Sequence, residues 1–325
     1  MRKILILFLI LTTSGFTEYT LREGKLVEKE QVATGSAQEH YGAILQFYDS
    51  QQWKNCEKEA LILMKNFSTT PYARDVAYFL GVSYFYQEDY ELANQQFTDY
   101  LTRQATPKFF EEAIEYKFRI AEEFKDGARK HLMGFKTLPK WMPAGSEAIE
   151  IYEEVISALP HHPLAAQALY GKAQLLAKRE DYRAAIESYQ TLIRRFSKNP
   201  LAVESYIGIA QVYLEQSRSE YPDPDFLDLA ELNLRKFKEN FPTEEKIAQA
   251  QQAFKEMQDH YAESLYQTAR FFERTNKLGA ARIYYAKIIK NYPDAEVAKP
   301  SKERFDVLCA KLEKAEAKLK SHTKK

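Results

Sequence analysis

Apolar and polar positions along the chain alternate with a helical period, and one ordered pattern returns three times. It is read in YFLGVSYFYQEDYELANQQFTDYL (78–101), YGKAQLLAKREDYRAAIESYQTLI (170–193) and YQTARFFERTNKLGAARIYYAKII (266–289). Each stretch has a small residue in a first segment: Gly81, Ala173 or Ala269. A second small residue follows twelve positions on, at Ala93, Ala185 and Ala281, and an aromatic four beyond that, at Phe97, Tyr189 and Tyr285. Two antiparallel helices approach closely only where side chains are small, and a ring one turn further fills the space beside the contact. Pro107, Pro200 and Pro293 follow the three units, where proline ends the second helix and sets the turn into the next unit. The pattern predicts repeated helical hairpins.

The spacing resembles that of the tetratricopeptide repeat, and further copies are weaker. Residues 40–71 carry Trp53, Cys56, Ala60 and Pro71, with Cys56 in the alanine slot. Residues 113–163 carry Ala121, Ala148, Tyr152 and Pro160, split by an insertion at 124–147. Residues 201–242 carry Ala210, Ala230 and Pro242, with a shorter insertion at SRSEYPDPDF. No breaker interrupts the chain between Thr243 and Thr275, which predicts one long helix. The expected fold is all-α: a tetratricopeptide-repeat superhelix of about five to six hairpins, closed after Pro300 by a C-terminal capping helix. Such arrays are mostly binding platforms.

Composition narrows the class. The 325 residues are 45% hydrophobic and 28% charged, which suits a folded body over a disordered one. Lys plus Arg equals Asp plus Glu at 46 each, which argues against a basic nucleic-acid binder. Tyr (22) and Phe (20) outnumber Gly (11) and Pro (12), as expected of ring-packed helices with short turns. Two distant cysteines, Cys56 and Cys309, make neither a disulfide framework nor a zinc spacing.

The first residues, MRK followed by ILILFLIL and TTSGFT, have the layout of a secretory signal peptide, with an apolar core too short to span a bilayer. The expectation is export, with 1–17 as leader and 18–37 as a flexible segment. An N-terminal repeat half then covers 38–163, a C-terminal half 164–312, and a basic tail 313–325.

Catalytic chemistry is not signalled. There is no glycine-rich phosphate loop and no nucleophile–base spacing. His161-His162, between two prolines, reads as a solvated turn rather than a ligand pair. The Glu-rich run EEAIEYKFRIAEEF reads as a polar helix face. The expectation is no enzyme, no cofactor and no metal.

First-helix positions that would face a groove are more informative. Tyr41, Tyr48, Tyr78, Phe85 and Tyr86 form an aromatic set that can hold an extended peptide; the same rings can instead pack on the neighbouring hairpin. In the last repeat the matching set is charged: Tyr266, Arg270, Glu273 and Arg274.

The exported N-terminus, the repeat number, the interrupted unit FRIAEEFKDGARKHLMGFKTLPKWMPAGSEAIEIYEEVISALP and the closing YYAKIIKNYPDAE resemble the BamD family, periplasmic lipoproteins of the outer-membrane β-barrel assembly machine. The resemblance covers roughly residues 36–312. It implies a non-enzymatic scaffold at the inner face of the outer membrane. The C-terminal half would hold the barrel insertase and other assembly-machine subunits. The N-terminal half would recognise unfolded outer-membrane protein precursors by a C-terminal aromatic residue. The sequence departs from that family in having Phe16 in TSGF where a lipid-accepting Cys is wanted, so membrane association would be peripheral and through partners. The alternative is another periplasmic tetratricopeptide adaptor in envelope organisation or division.

Overall fold

The computed structural model describes residues 19–22, 25–28, 32–134, 136, 138–218 and 223–322. The expected leader, 1–17, lies outside them. The chain divides into two compact units, 1–151 and 152–325.

The first unit opens with two short strands, β1 (Tyr19–Arg22) and β2 (Lys25–Glu28), paired antiparallel. Five helices follow: α1 (Ala37–Asp49), α2 (Trp53–Asn66), α3 (Ala73–Tyr86), α4 (Tyr90–Arg103) and α5 (Phe110–Lys125). The segment predicted as an insertion holds a second antiparallel pair, β3 (Arg129–His131) and β4 (Lys140–Pro143), with a 3-10 turn at Leu132–Gly134 between them. The division between the units falls inside α6 (Gly145–Ala158).

The second unit contains α7 (Pro163–Lys178), α8 (Tyr182–Arg195), α9 (Pro200–Ser217), α10 (Pro224–Asn240), α11 (Ile247–Arg274), α12 (Leu278–Asn291) and α13 (Ala298–His322). α11 is the breaker-free helix expected from the sequence. α13 carries the cap on into the basic end.

Helix packing follows the small-residue pattern. Tyr78 and Phe97 lie 6.0 Å apart at 60°, Tyr170 and Tyr189 5.7 Å at 61°, and Tyr266 and Tyr285 5.8 Å at 62°. In all three hairpins the partners are nineteen positions apart. Edge-on rings in this range add about 0.5–1.5 kcal/mol beyond their area burial. Gly81 is needed because a Cβ there would come within 2.9 Å of the Phe97 ring. Gly208 does the same between hairpins, where a Cβ would come within 2.5 Å of Tyr189.

Four of the hairpin turns are built alike. Gln51, Glu88, Glu180 and Asn276 are left-handed, with φ of 56°, 61°, 63° and 59°. The next residue's N–H donates back five positions in each case, as Asp89 to Tyr84 (2.9 Å) and Asp181 to Leu176 (3.0 Å). This closure satisfies the last carbonyls of the first helix, where glycine is the usual left-handed residue.

Pro107 and Pro293 follow the ends of α4 and α12 as expected, whereas Pro200 opens the next helix. Pro163, Pro200 and Pro224 occupy the first turn of α7, α9 and α10, each behind a side-chain N-cap: His162, Asn199 and Asp223. Proline there opens the next helix, because its missing N–H is one the helix start leaves unpaired anyway. His162 accepts from the Leu164 N–H at 3.2 Å, which gives the His161-His162 turn a structural role.

The β3–β4 insertion is fastened to the second hairpin. Asp89, 6% exposed at the α3–α4 turn, is the centre of the contact. Its carboxylate lies 3.1 Å from His131 Nε2, 3.0 Å from Lys140 Nζ and 3.2 Å from Lys136 Nζ. Lys136 also pairs with Glu57 at 2.8 Å, and Lys140 donates to the Glu88 carbonyl at 2.8 Å. His131 Nδ1 faces the Leu138 carbonyl at 2.7 Å.

Candidate functional site

In the first unit, side chains seven positions apart share a helix face, two turns along. That spacing puts Tyr41 and Tyr48 on one side of α1, Phe79 and Tyr86 on one side of α3, and Phe109 and Tyr116 in register at α5. The structure separates the sequence-predicted aromatic set into two kinds. Tyr78 (4% exposed) and Phe85 (6%) are interior, whereas Tyr41 and Tyr48 are half-buried and Tyr86 is 45% exposed. Tyr78 stacks on Phe109 at 4.5 Å, and Phe85 meets Tyr116 at 5.2 Å. These two rings hold hairpins together.

The accessible surface centres on Tyr86. Its ring stacks on Trp53 of α2 at 4.3 Å and 8°, and Trp53 meets Tyr48 edge-on at 6.0 Å. Tyr116 hydrogen-bonds the Tyr86 phenol, with Arg119 beside both. The exposed Arg119 guanidinium lies over the Phe85 ring at 4.4 Å and the Tyr116 ring at 5.1 Å. The bond from Tyr116, then the bond and charge of Arg119, outweigh burial and hold the Tyr86 phenol below the usual tyrosine range. Burial and the bond to Tyr86 push Tyr116 up. Tyr78 is driven far up, first by burial and then by Tyr48. A cleft of about 650 Å³ adjoins the ledge, bounded by Gln52, Trp53, Lys54, Asn55, Tyr86, Gln87 and Asp89.

Trp53, Tyr116 and Arg119 were not among the groove residues read from the sequence. The signal for Tyr116 was its seven-residue spacing from Phe109, the same as 79 to 86. Arg119 has no such signal, because its role depends on rings from two helices.

In the second unit the predicted set on α11 is also divided. Glu273 is engaged: it accepts from the Tyr285 hydroxyl at 3.0 Å and lies 3.6 Å from Arg304 of α13. Burial, then the bond to Glu273, pushes the Tyr285 phenol up to about 12. Tyr266 packs on Tyr285, and Arg270 lies 6.0 Å over the Tyr266 ring. Arg270 and Arg274 are exposed. Among the described residues no His, Cys, Asp and Glu group could hold a metal, and no helix is long and apolar enough to cross a membrane.

Two stretches match the tetratricopeptide repeat by sequence profile, residues 170–220 and 263–295. Both lie where the hairpin pattern is strongest, and the chain is a tetratricopeptide-repeat protein of all-α fold. No curated protein matches the sequence. Solved structures that it is similar to include a TPR repeats protein from Bacteroides fragilis, at 16% identity over 85% of this chain and 99% of that one, with a TM-score of 0.40. Another is a tetratricopeptide repeat protein from Parabacteroides merdae, at 13% identity over 84% of this chain and 98% of that one, with a TM-score of 0.38.

Proposed function

We propose that the chain is a non-enzymatic adaptor of outer-membrane β-barrel assembly, working in the periplasm at the inner face of the outer membrane. The first unit would bind extended segments of unfolded barrel precursors. The second would hold the barrel insertase and its companion subunits. Tetratricopeptide repeats serve protein–protein contact, and the finer assignment rests on the resemblance of the interrupted repeat and the apolar leader to the BamD family.

The observation that carries the peptide-binding part is the Trp53–Tyr86–Tyr116 ledge with Arg119 across it. The exposed Tyr86 ring, with Tyr116 edge-on to it at 77°, offers an incoming aromatic side chain both stacked and edge-on contact. A guanidinium beside it accepts a carboxylate, and the combination suits a chain ending in an aromatic residue. In the second unit, the exposed Arg270 beside Tyr266, with exposed Arg274 on the same helix, offers charge and a ring to a folded partner.

The test is affinity purification of the tagged chain from detergent-solubilised native envelopes, with mass spectrometry of the co-purifying proteins. Recovery of a barrel insertase in stoichiometric amount supports the assignment. Recovery of division or cell-wall proteins in its place replaces it with a different envelope adaptor.

A further inference from the structure

The second unit holds a cavity of about 640 Å³ that the adaptor reading does not use. α8 and α10 both pack on α9, and the space between them has α9 as its floor. Three helix faces converge on it. α8 presents Gln190, Ile193 and Arg194; α9 presents Tyr206, Ile209 and Tyr213; α10 presents Leu229, Leu232, Asn233, Lys236 and Asn240. Each set follows the three-, four- and seven-residue spacing of one helical side.

The cavity is held open by bonds of its own. Asn233 Nδ2 donates to the Tyr206 carbonyl at 3.0 Å, and Asn240 Nδ2 to the Tyr206 hydroxyl at 2.8 Å. Tyr206 in turn stacks on Phe237 at 4.9 Å and 2°. The floor ring is therefore fixed from two directions before any ligand arrives. The volume lies inside the range of about 300–1,000 Å³ usual for small-molecule sites.

Its charge is one-sided and its lining mixed. Ile193, Ile209, Leu229 and Leu232 give apolar contact beside the polar Gln190, Ser197, Asn233 and Asn240, and Leu229 is 43% exposed at its edge. Arg194 and Lys236 stand on opposite walls, both exposed, and no carboxylate is among the described lining residues. An apolar floor under two cations favours a ligand with an apolar body and one anionic end. We propose that this cavity binds a single-chain amphiphilic carboxylate of fatty-acid type, with the chain on Ile209 and Tyr206 and the carboxylate between Arg194 and Lys236.

The test uses isothermal titration calorimetry on the purified full chain at neutral pH, with sodium decanoate below its micelle concentration and 1-decanol as the neutral comparator. Saturable one-to-one decanoate binding, at least tenfold tighter than decanol, is expected. R194Q/K236Q removes that preference while leaving decanol binding in place. R194E/K236E reverses it toward decylammonium. Both sites are exposed, so retained helix content by circular dichroism is expected of both variants. Absence of saturable decanoate binding overturns the proposal, and so does decanoate affinity unchanged in R194Q/K236Q. Neither result bears on the envelope purification, which tests the adaptor role separately.

Discussion

The Asp89 carboxylate meets the His131 imidazole at 3.1 Å, joining a helix turn to a strand forty-two positions away. Lys136 and Lys140 complete the cluster. Removing one member of a buried ion cluster leaves the others without compensation. Lys136 and Lys140 are 42% and 34% exposed, so water recovers part of the loss. Asp89→Ala is expected to cost about 2 kcal/mol in urea unfolding. Lys136→Ala, at the wetter edge, is expected to cost under about 1 kcal/mol. Equal effects would mean that Asp89 is not the centre of the contact.

The same carboxylate sets an acid dependence. Burial works to raise its pKa, and the hydrogen bonds from His131, Lys140 and Lys136 outweigh that, leaving it lowered. A lowered folded-state pKa contributes stability that is complete above the unfolded carboxylate value of about 4. The contribution is lost as pH falls through the lowered value. Urea midpoints measured from pH 5 down to pH 2.5 should therefore fall more steeply in the wild type than in Asp89→Asn. Parallel curves would remove the assignment.

Glycines at different places should respond oppositely to alanine. Gly208→Ala and Gly81→Ala push a Cβ against Tyr189 and Phe97, both buried rings. Overpacking of this kind costs about 1–3 kcal/mol, and Gly208, with the closer approach, should lose more. Gly279, in the first turn of α12, has nothing within 4 Å of such a Cβ. Gly279→Ala should gain about 0.5–1 kcal/mol from helix propensity. Thermal unfolding of the three variants checks both the sign and the order.

Left-handed Glu180 is exposed, and glycine fits its φ of 63° without the Cβ conflict. Glycine also loosens the unfolded chain, which offsets part of the gain. Glu180→Gly should raise stability by about 0.5 kcal/mol, or roughly 1–2 °C in Tm. A lower Tm would show that the turn tolerates Glu without strain.

Binding and stability should separate on the aromatic ledge. Tyr86→Ala and Arg119→Gln alter exposed groups. They should weaken a fluorescent peptide ending in phenylalanine by roughly tenfold, about 1.4 kcal/mol, with a stability loss no larger than about 0.5–1.5 kcal/mol, that of one ring contact. Tyr78→Ala and Phe85→Ala empty interior space and should cost about 3–5 kcal/mol. Wild-type peptide affinity in folded Tyr86→Ala would remove the ledge from the proposal.

The hairpins were legible because their cause is local. Gly81 with Phe97 and Ala269 with Tyr285 announce close helix packing at fixed spacing, and the rings repeat within two degrees. Burial of Tyr78 and Phe85 was less visible, although a signal existed. Val76 to Phe85 is buried without interruption, and DVAYFLGVSYFY is almost free of charge after its first residue. A helix apolar all round is covered on all sides, so its rings cannot all face a groove. The docking of the insertion was not legible. It depends on Asp89, His131, Lys136 and Lys140 meeting across long sequence separations, and ion pairing has no period to read. Pro200 was misread because a proline between two helices can end one or begin the next, and only the cap at Asn199 tells which.

α11 spans twenty-eight residues, about 42 Å at 1.5 Å per residue, and packs on α9, α10 and α12. Repeat arrays usually peel from an end one hairpin at a time, since each unit touches only its neighbours. Here the same rod belongs to two successive hairpins. Fraying of α12 and α13 would strip one half of the rod while the other half stays clamped by α9 and α10. The C-terminal end should then behave as one cooperative block. Amide protons from α9 to α12 would exchange with a common opening energy instead of a gradient toward the terminus.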